Sequence, residues 1–126
     1  MAAPARPHLP APAPIEAYGN GGFRFAGMSH RGSLLCLPDG VWGWPVAAID
    51  GVTETALADV IARAGALDIF LLGSGRDLWT PPLALRQQFQ AARISFDAMT
   101  TAAAVRTYNV LLAEGRRAGA GLIAVG

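Results

Sequence analysis

One cysteine, two histidines and no lysine among 126 residues exclude several kinds of function at the outset. Cys36 alone cannot build an intramolecular disulfide framework or a cysteine-rich zinc site. His8 and His30 are too few for a histidine-rich metal centre. Charge is scarce too: 15% of residues are charged, and the formal net charge is +1. So small a charge gives no strong field to steer the chain onto nucleic acid or an anionic lipid surface. No apolar run approaches the ~20 residues of a membrane span; the longest strong one is Ile69-Phe70-Leu71-Leu72. No secretory signal is read, because five prolines interrupt Met1 to Pro14, where such a signal needs an apolar stretch. A cytoplasmic location is expected, with any attachment to the inner membrane made through a partner.

What the chain has in plenty is apolar surface. Hydrophobic residues make up 52%, enough for one core in one domain and against disorder. Arginine supplies every basic residue and alanine is abundant, as in a GC-rich bacterial coding sequence. Residues 1–14 read as a disordered Ala/Pro tail, because proline removes backbone donors and fixes φ. Residues 15–126 read as one α/β domain.

Within it, Ile15 to Trp44 reads as an antiparallel β unit. Phe23 and Phe25 alternate with Arg24, the pattern of a half-buried strand. Ser33 to Leu37 is a second strand, closed by the turn Pro38-Asp39-Gly40. Val41 to Trp44 is a third. The period then changes. Leu57, Val60, Ile61 and Ala64 recur at helical spacing over Thr53–Ala64, with Gly65 as a stop. Asp68 to Leu72 is an apolar strand, Leu83 to Ala92 a helix, and Ile94 to Phe96 a short strand. Thr101 to Arg116 is the longest helix, with Thr101 as its expected N-cap. Ala120 to Val125 is the last strand. Alternating strands and helices imply a β-α-β-α-β half with parallel pairing. Ligands of such sheets sit beyond the carboxyl ends of the parallel strands, here Gly73-Ser74-Gly75 and Asp97 to Thr101.

Three features there invite a chemical reading. Gly73-Ser74-Gly75 has the start of a dinucleotide fingerprint, with Asp97 where a ribose-binding acid would sit. It lacks the third glycine, since residue 78 is Leu, and Pro81-Pro82 delays the helix. A tight turn with free N–H groups is the plainer reading. Second, Met99 to Thr101 opens a helix, which offers either a modest anion site or ordinary capping. Third, Asn109 is unfavourable inside a helix by a few tenths of a kcal/mol, so something should repay it. Either a bond to an adjacent loop such as Ser74-Gly75, or a ligand or partner backbone, would do so. Catalytic groupings are thin. Ser74 lacks the flanking glycines of a nucleophile elbow, Cys36 reads as a buried strand cysteine, and nothing pairs Asp77 with Asp97. Trp79, in a loop bounded by glycine and proline, is a candidate partner anchor.

The run Met99 to Arg116, above all Thr107-Tyr108-Asn109-Val110-Leu111-Leu112-Ala113-Glu114-Gly115-Arg116, resembles a small family of α/β proteins. That family includes mitochondrial respiratory complex I assembly factor 3 and an adipogenesis-associated protein. Gly22-Phe23-Arg24-Phe25, Gly32-Ser33 and Gly73-Ser74-Gly75 agree with it, over about Ile15 to Val125. The resemblance implies a three-layer α/β domain with a mixed central sheet and an added β layer. It points to no established cofactor or enzymatic activity, and implies protein contacts in building the NADH dehydrogenase. The family pattern has threonine at position 74 and glutamate at 97; here Ser74 and Asp97 stand there.

Two functions follow as expectations. The first is a non-enzymatic interaction module, using Gly73, Ser74, Gly75, Asp97, Met99, Thr101, Tyr108 and Asn109, with Arg116 at the edge. Its partners would be respiratory complex subunits or another assembly factor. The second is a small-molecule binder or enzyme using the same edge. A third reading is homodimerisation through Trp42 and Trp44.

Overall fold

The structure is a computed structural model that describes residues 7–126. Its centre is a five-stranded sheet in the order β5-β4-β8-β6-β7. The strands are β4 (Ser33–Leu37), β5 (Gly40–Trp44), β6 (Ile69–Gly73), β7 (Ser95–Met99) and β8 (Ala118–Leu122). β6 pairs in parallel with both β7 and β8, while β8 pairs antiparallel with β4. Mixed pairing therefore changes hand at β8. A second, three-stranded antiparallel sheet holds β1 (Ile15–Gly19), β2 (Gly22–Phe25) and β3 (Met28–Arg31). The antiparallel half read from sequence thus divides. β1–β3 form the added layer, and the β4–β5 hairpin joins the central sheet.

Alternation along the strands explains the layering. Leu35, Leu37, Phe70 and Leu72 face one side, where they meet Leu57, Val60, Leu85 and Phe89. Those four come from α1 (Ala58–Ile61), its approach, and α2 (Leu83–Ala91). Leu34, Cys36, Leu71 and Leu122 face the other side. There they meet Val105 and Tyr108 of α3 (Thr101–Ala113) and Phe23 and Phe25 of β2. Trp42 and Trp44 are buried in the first of these cores, so neither is available for homodimerisation.

β8 reads Ala-Gly-Ala-Gly-Leu, and its bareness is structural. A Cβ on Gly121 would lie 2.8 Å from two ring atoms of Trp44 and 3.0 Å from Phe70. Glycine lets the two rings close over the middle of the sheet. The strand starts two residues earlier and ends three earlier than expected, over Ala118–Leu122.

The helical period over Thr53–Ala64 is real, since Leu57 and Val60 are buried. Only Ala58–Ile61 winds as α-helix, however; the rest is successive tight turns. Two β-branched threonines begin the segment, and the Leu57 N–H is shared between Thr53 and Glu54 carbonyls. Of the Ala/Pro segment, residues 1–6 lie outside the described residues. The remainder does touch the sheet: Leu9 forms an isolated bridge with Val41, His8 N–H donates to Val41 O at 2.8 Å, and Ala13 is buried. Proline blocks a continuous ladder but not single bonds at the residues between prolines.

Candidate functional site: the carboxyl edge of the sheet

β5, β6, β7 and β8 all end on the same side of the sheet. Ser33, Ser74 and Thr101 are the buried polar residues among the described ones, and all three lie there. Each hydroxyl ties two chain segments. Thr101 Oγ1 donates to Ile123 O at 2.7 Å and accepts from Gly75 N at 2.9 Å. Ser74 Oγ lies within hydrogen-bond reach of Asp77 O, at 2.7 Å, and Met99 O, at 3.0 Å. Ser33 Oγ donates to Val46 O at 2.6 Å and accepts from Ala124 N at 3.0 Å. The strand ends are therefore joined by side chains where the backbone ladder stops. Ser33 was not read from sequence as a site residue. Its signal was a lone hydroxyl opening the apolar run Leu34 to Leu37.

The glycine loop is closed by the same network. Ser74 N–H donates to Met99 O at 2.8 Å, and Thr101 N–H to Gly75 O at 2.9 Å. Gly73 O accepts from Ile123 N at 3.0 Å. With Gly75 N held by Thr101, the N–H groups of Ser74 and Gly75 are engaged within the fold and do not form an anion cradle. Thr101 consequently does not cap its helix. Thr100 does, its hydroxyl accepting from Ala103 N at 3.3 Å, while Thr101 turns inward.

The remaining expected site residues separate. Met99 is half-buried at the loop and packs against the core under α3. Asp97 sits two residues earlier on the edge strand, paired with Leu71 and exposed. Asn109 lies eight residues along α3 from Thr101, about 12 Å by helical rise. Its amide embraces Ile15, accepting from Ile15 N at 2.8 Å and donating to Ile15 O at 2.9 Å. Asn109 therefore repays its helical cost by holding β1, not by reaching the Ser74-Gly75 loop. Tyr108 is wholly buried. Its hydroxyl sits against the Cys36 sulfur without a hydrogen bond of good geometry. Burial, with Cys36 adding to it, pushes the Tyr108 phenol up. Burial likewise pushes the Cys36 thiol up to about 12, which keeps it protonated and unreactive. Arg116 lies past the far end of α3. The neighbouring Arg117 pairs with Asp68 at 2.7 Å, just before β6 begins. It belongs to the opposite, amino edge of the sheet.

Outward, the carboxyl edge presents a mixed surface in which the exposed Arg76 and Asp77 stand beside two large apolar side chains. The segment after the glycine loop leaves Leu78 80% exposed and Leu83 60% exposed. Trp79, the anchor expected from sequence, is instead half-buried against the core. No group of three or more metal-ligating side chains occurs among the described residues. No helix among them is long and apolar enough to cross a membrane.

The model of the family described as protein of unknown function DUF498/DUF598 matches residues 15–123. The chain belongs to this family. The DUF498/DUF598 match covers both sheets and all three helices, so the small sheet is part of the family unit. An uncharacterised protein of Rhodobacter capsulatus is 40% identical, over 96% of this chain and 92% of its own. A mouse protein, NADH dehydrogenase [ubiquinone] 1 alpha subcomplex assembly factor 3, is 28% identical over 86% of this chain. The chain spans 59% of that mouse protein's length. A crystal structure described as an outer membrane protein from Bartonella henselae superposes with a TM-score of 0.91. It is 47% identical and matches 94% of this chain and all of its own. The mixed α/β architecture is thus shared within the family.

Proposed function

We propose that this DUF498/DUF598 protein is an interaction module that helps assemble a membrane-bound NADH dehydrogenase by protein contact. The relationship to the mouse assembly factor supports the class of role. The observation that carries the reading is the exposed pair Leu78 and Leu83 beside an edge whose polar groups are engaged internally. Such an edge offers an apolar contact surface in place of a polar ligand cradle. The proposed patch runs from Gly73-Ser74-Gly75 and Met99 across Leu78 to Leu83. Thr101 holds its framework through Gly75 and Ile123.

The test is affinity capture of the tagged protein from membranes and lysate of its native host, with mass spectrometry. NADH dehydrogenase subunits or an associated assembly factor should be enriched. Leu78→Asp with Leu83→Asp should abolish that enrichment while leaving the circular dichroism melt unchanged, since both side chains face solvent. Capture with no such subunits, or capture that survives both substitutions, overturns the proposal. A metabolite giving a saturable thermal shift at this edge would favour the small-molecule reading instead.

A further inference from the structure

The outer face of the three-stranded sheet carries a separate arrangement. Phe23 and Phe25 turn into the core, so Arg24 turns outward. Arg24 is paired across the strands with Ala17 on β1 and Ser29 on β3. Gly22, the next outward position on β2, is paired with Gly19 and Arg31. Two guanidiniums therefore stand on one face over a floor of glycine and alanine. The result is an open trough of about 410 Å³.

The two arginines differ in how they are held. Arg24 Nη1 donates to Ser29 Oγ at 3.0 Å, and its Nε lies 3.7 Å from Glu16 Oε1. Glu16 also accepts from Gly27 N at 3.3 Å. Arg24 is thus steadied by two contacts, and a guanidinium has five N–H donors, so most stay available. Arg31 is exposed and has no ion pair or side-chain hydrogen bond among the described residues. Arg24 and Arg31 are diagonal neighbours on adjacent strands, a relation that places side chains about 7–8 Å apart. Alternate residues of an extended chain repeat at about 7 Å. Two carboxylates at alternate positions of an extended segment match the two arginines in charge and in the spacing of their strand positions.

We propose that this trough docks an acidic, extended segment of a partner protein, with alternating carboxylates meeting Arg24 and Arg31. A nucleic acid is the poorer fit. Two guanidiniums fall short of the many phosphate contacts and stacking rings that such binding uses. This surface is distinct from the Leu78–Leu83 edge, so the two proposals fail independently.

The probe is a fluorescein-labelled peptide with glutamate at alternate positions, read by anisotropy at low salt. Saturable binding is expected, weakening as salt rises. R31Q should weaken it by about fivefold, and R24Q/R31Q should abolish it. R106Q, on the exposed face of α3, should leave it unchanged. All these side chains are exposed, so the variants should melt like the parent. Absence of saturable binding, equal binding by R24Q/R31Q, or equal loss with R106Q overturns the proposal. Tighter binding of an oligothymidylate than of the peptide also overturns it and reassigns the trough to nucleic acid.

Discussion

Replacing Thr101 by valine tests whether the carboxyl edge is a structural clasp. The change keeps the shape and removes only the hydroxyl. Two bonds go: donation to Ile123 O at 2.7 Å and acceptance from Gly75 N at 2.9 Å. Each is worth about 1 kcal/mol net, and a buried carbonyl left without a donor adds about 1–3 kcal/mol. The Ile123 carbonyl lies against a wholly buried side chain, so the total should be about 3 kcal/mol. With a urea slope of about 2 kcal/mol/M for a chain of this size, the midpoint should fall by about 1.5 M. Thr101→Ser provides the control. It keeps the hydroxyl and loses one methyl, worth about 0.8 kcal/mol. The expected order is parent, then serine, then valine, with faster amide exchange at Gly75 in the valine variant alone. A valine variant as stable as the serine variant would refute the clasp.

Three further outcomes follow from the same geometry. Asn109→Ala removes both bonds to Ile15 and should cost about 2 kcal/mol; hydrogen exchange should quicken in β1 first, and unchanged protection there would contradict the assigned role. Gly121→Ala drives a methyl to within 2.8 Å of Trp44 and should cost about 1–3 kcal/mol. Pairing it with Trp44→Leu should recover part of that loss in a double-mutant cycle. Burial lowers the His30 pKa from 6.5, with the adjacent His8 adding to it; their rings lie 4.7 Å apart. The unfolded chain therefore binds the proton first, so stability is full above 6.5 and declines as pH falls from there towards the folded value. Replacing His30 with glutamine should flatten that part of the stability profile, measured by urea titration across the range.

The sequence carried the fold in some places and not in others. Ile69 to Leu72 declared a strand buried on both faces, because every residue is apolar and faces alternate cores. Phe23-Arg24-Phe25 declared its inward and outward sides in the same way. β8 was misplaced because alanine and glycine have no periodic signal. Its register is set by Trp44 and Phe70, which close over residues with no side chain of their own. The adjacent threonines at 100 and 101 look alike as caps. Only the end of β7 at Met99 and the reach to Ile123 divide their duties. Asn109 could not be resolved locally because its partner is 94 residues away. Arg116 was drawn to the patch by the family motif, but a helix carries its far end to the other edge of the sheet. The family, in contrast, was legible in the Thr107 to Arg116 run, and the matched region bears it out.

The position of β8 has a kinetic consequence. β4 and β6 never pair with each other; both pair with β8. Until β8 is in place, the chain holds two half-sheets, each with an apolar strand edge unpaired. Joining them closes loops of about 85 residues on the β4 side, an entropic demand that slows folding. Open edges during that wait are templates for misassociation. Folding of this protein should therefore be limited by insertion of its alanine- and glycine-rich strand β8, and a chaperone binding the nascent chain should recognise β4 and β6.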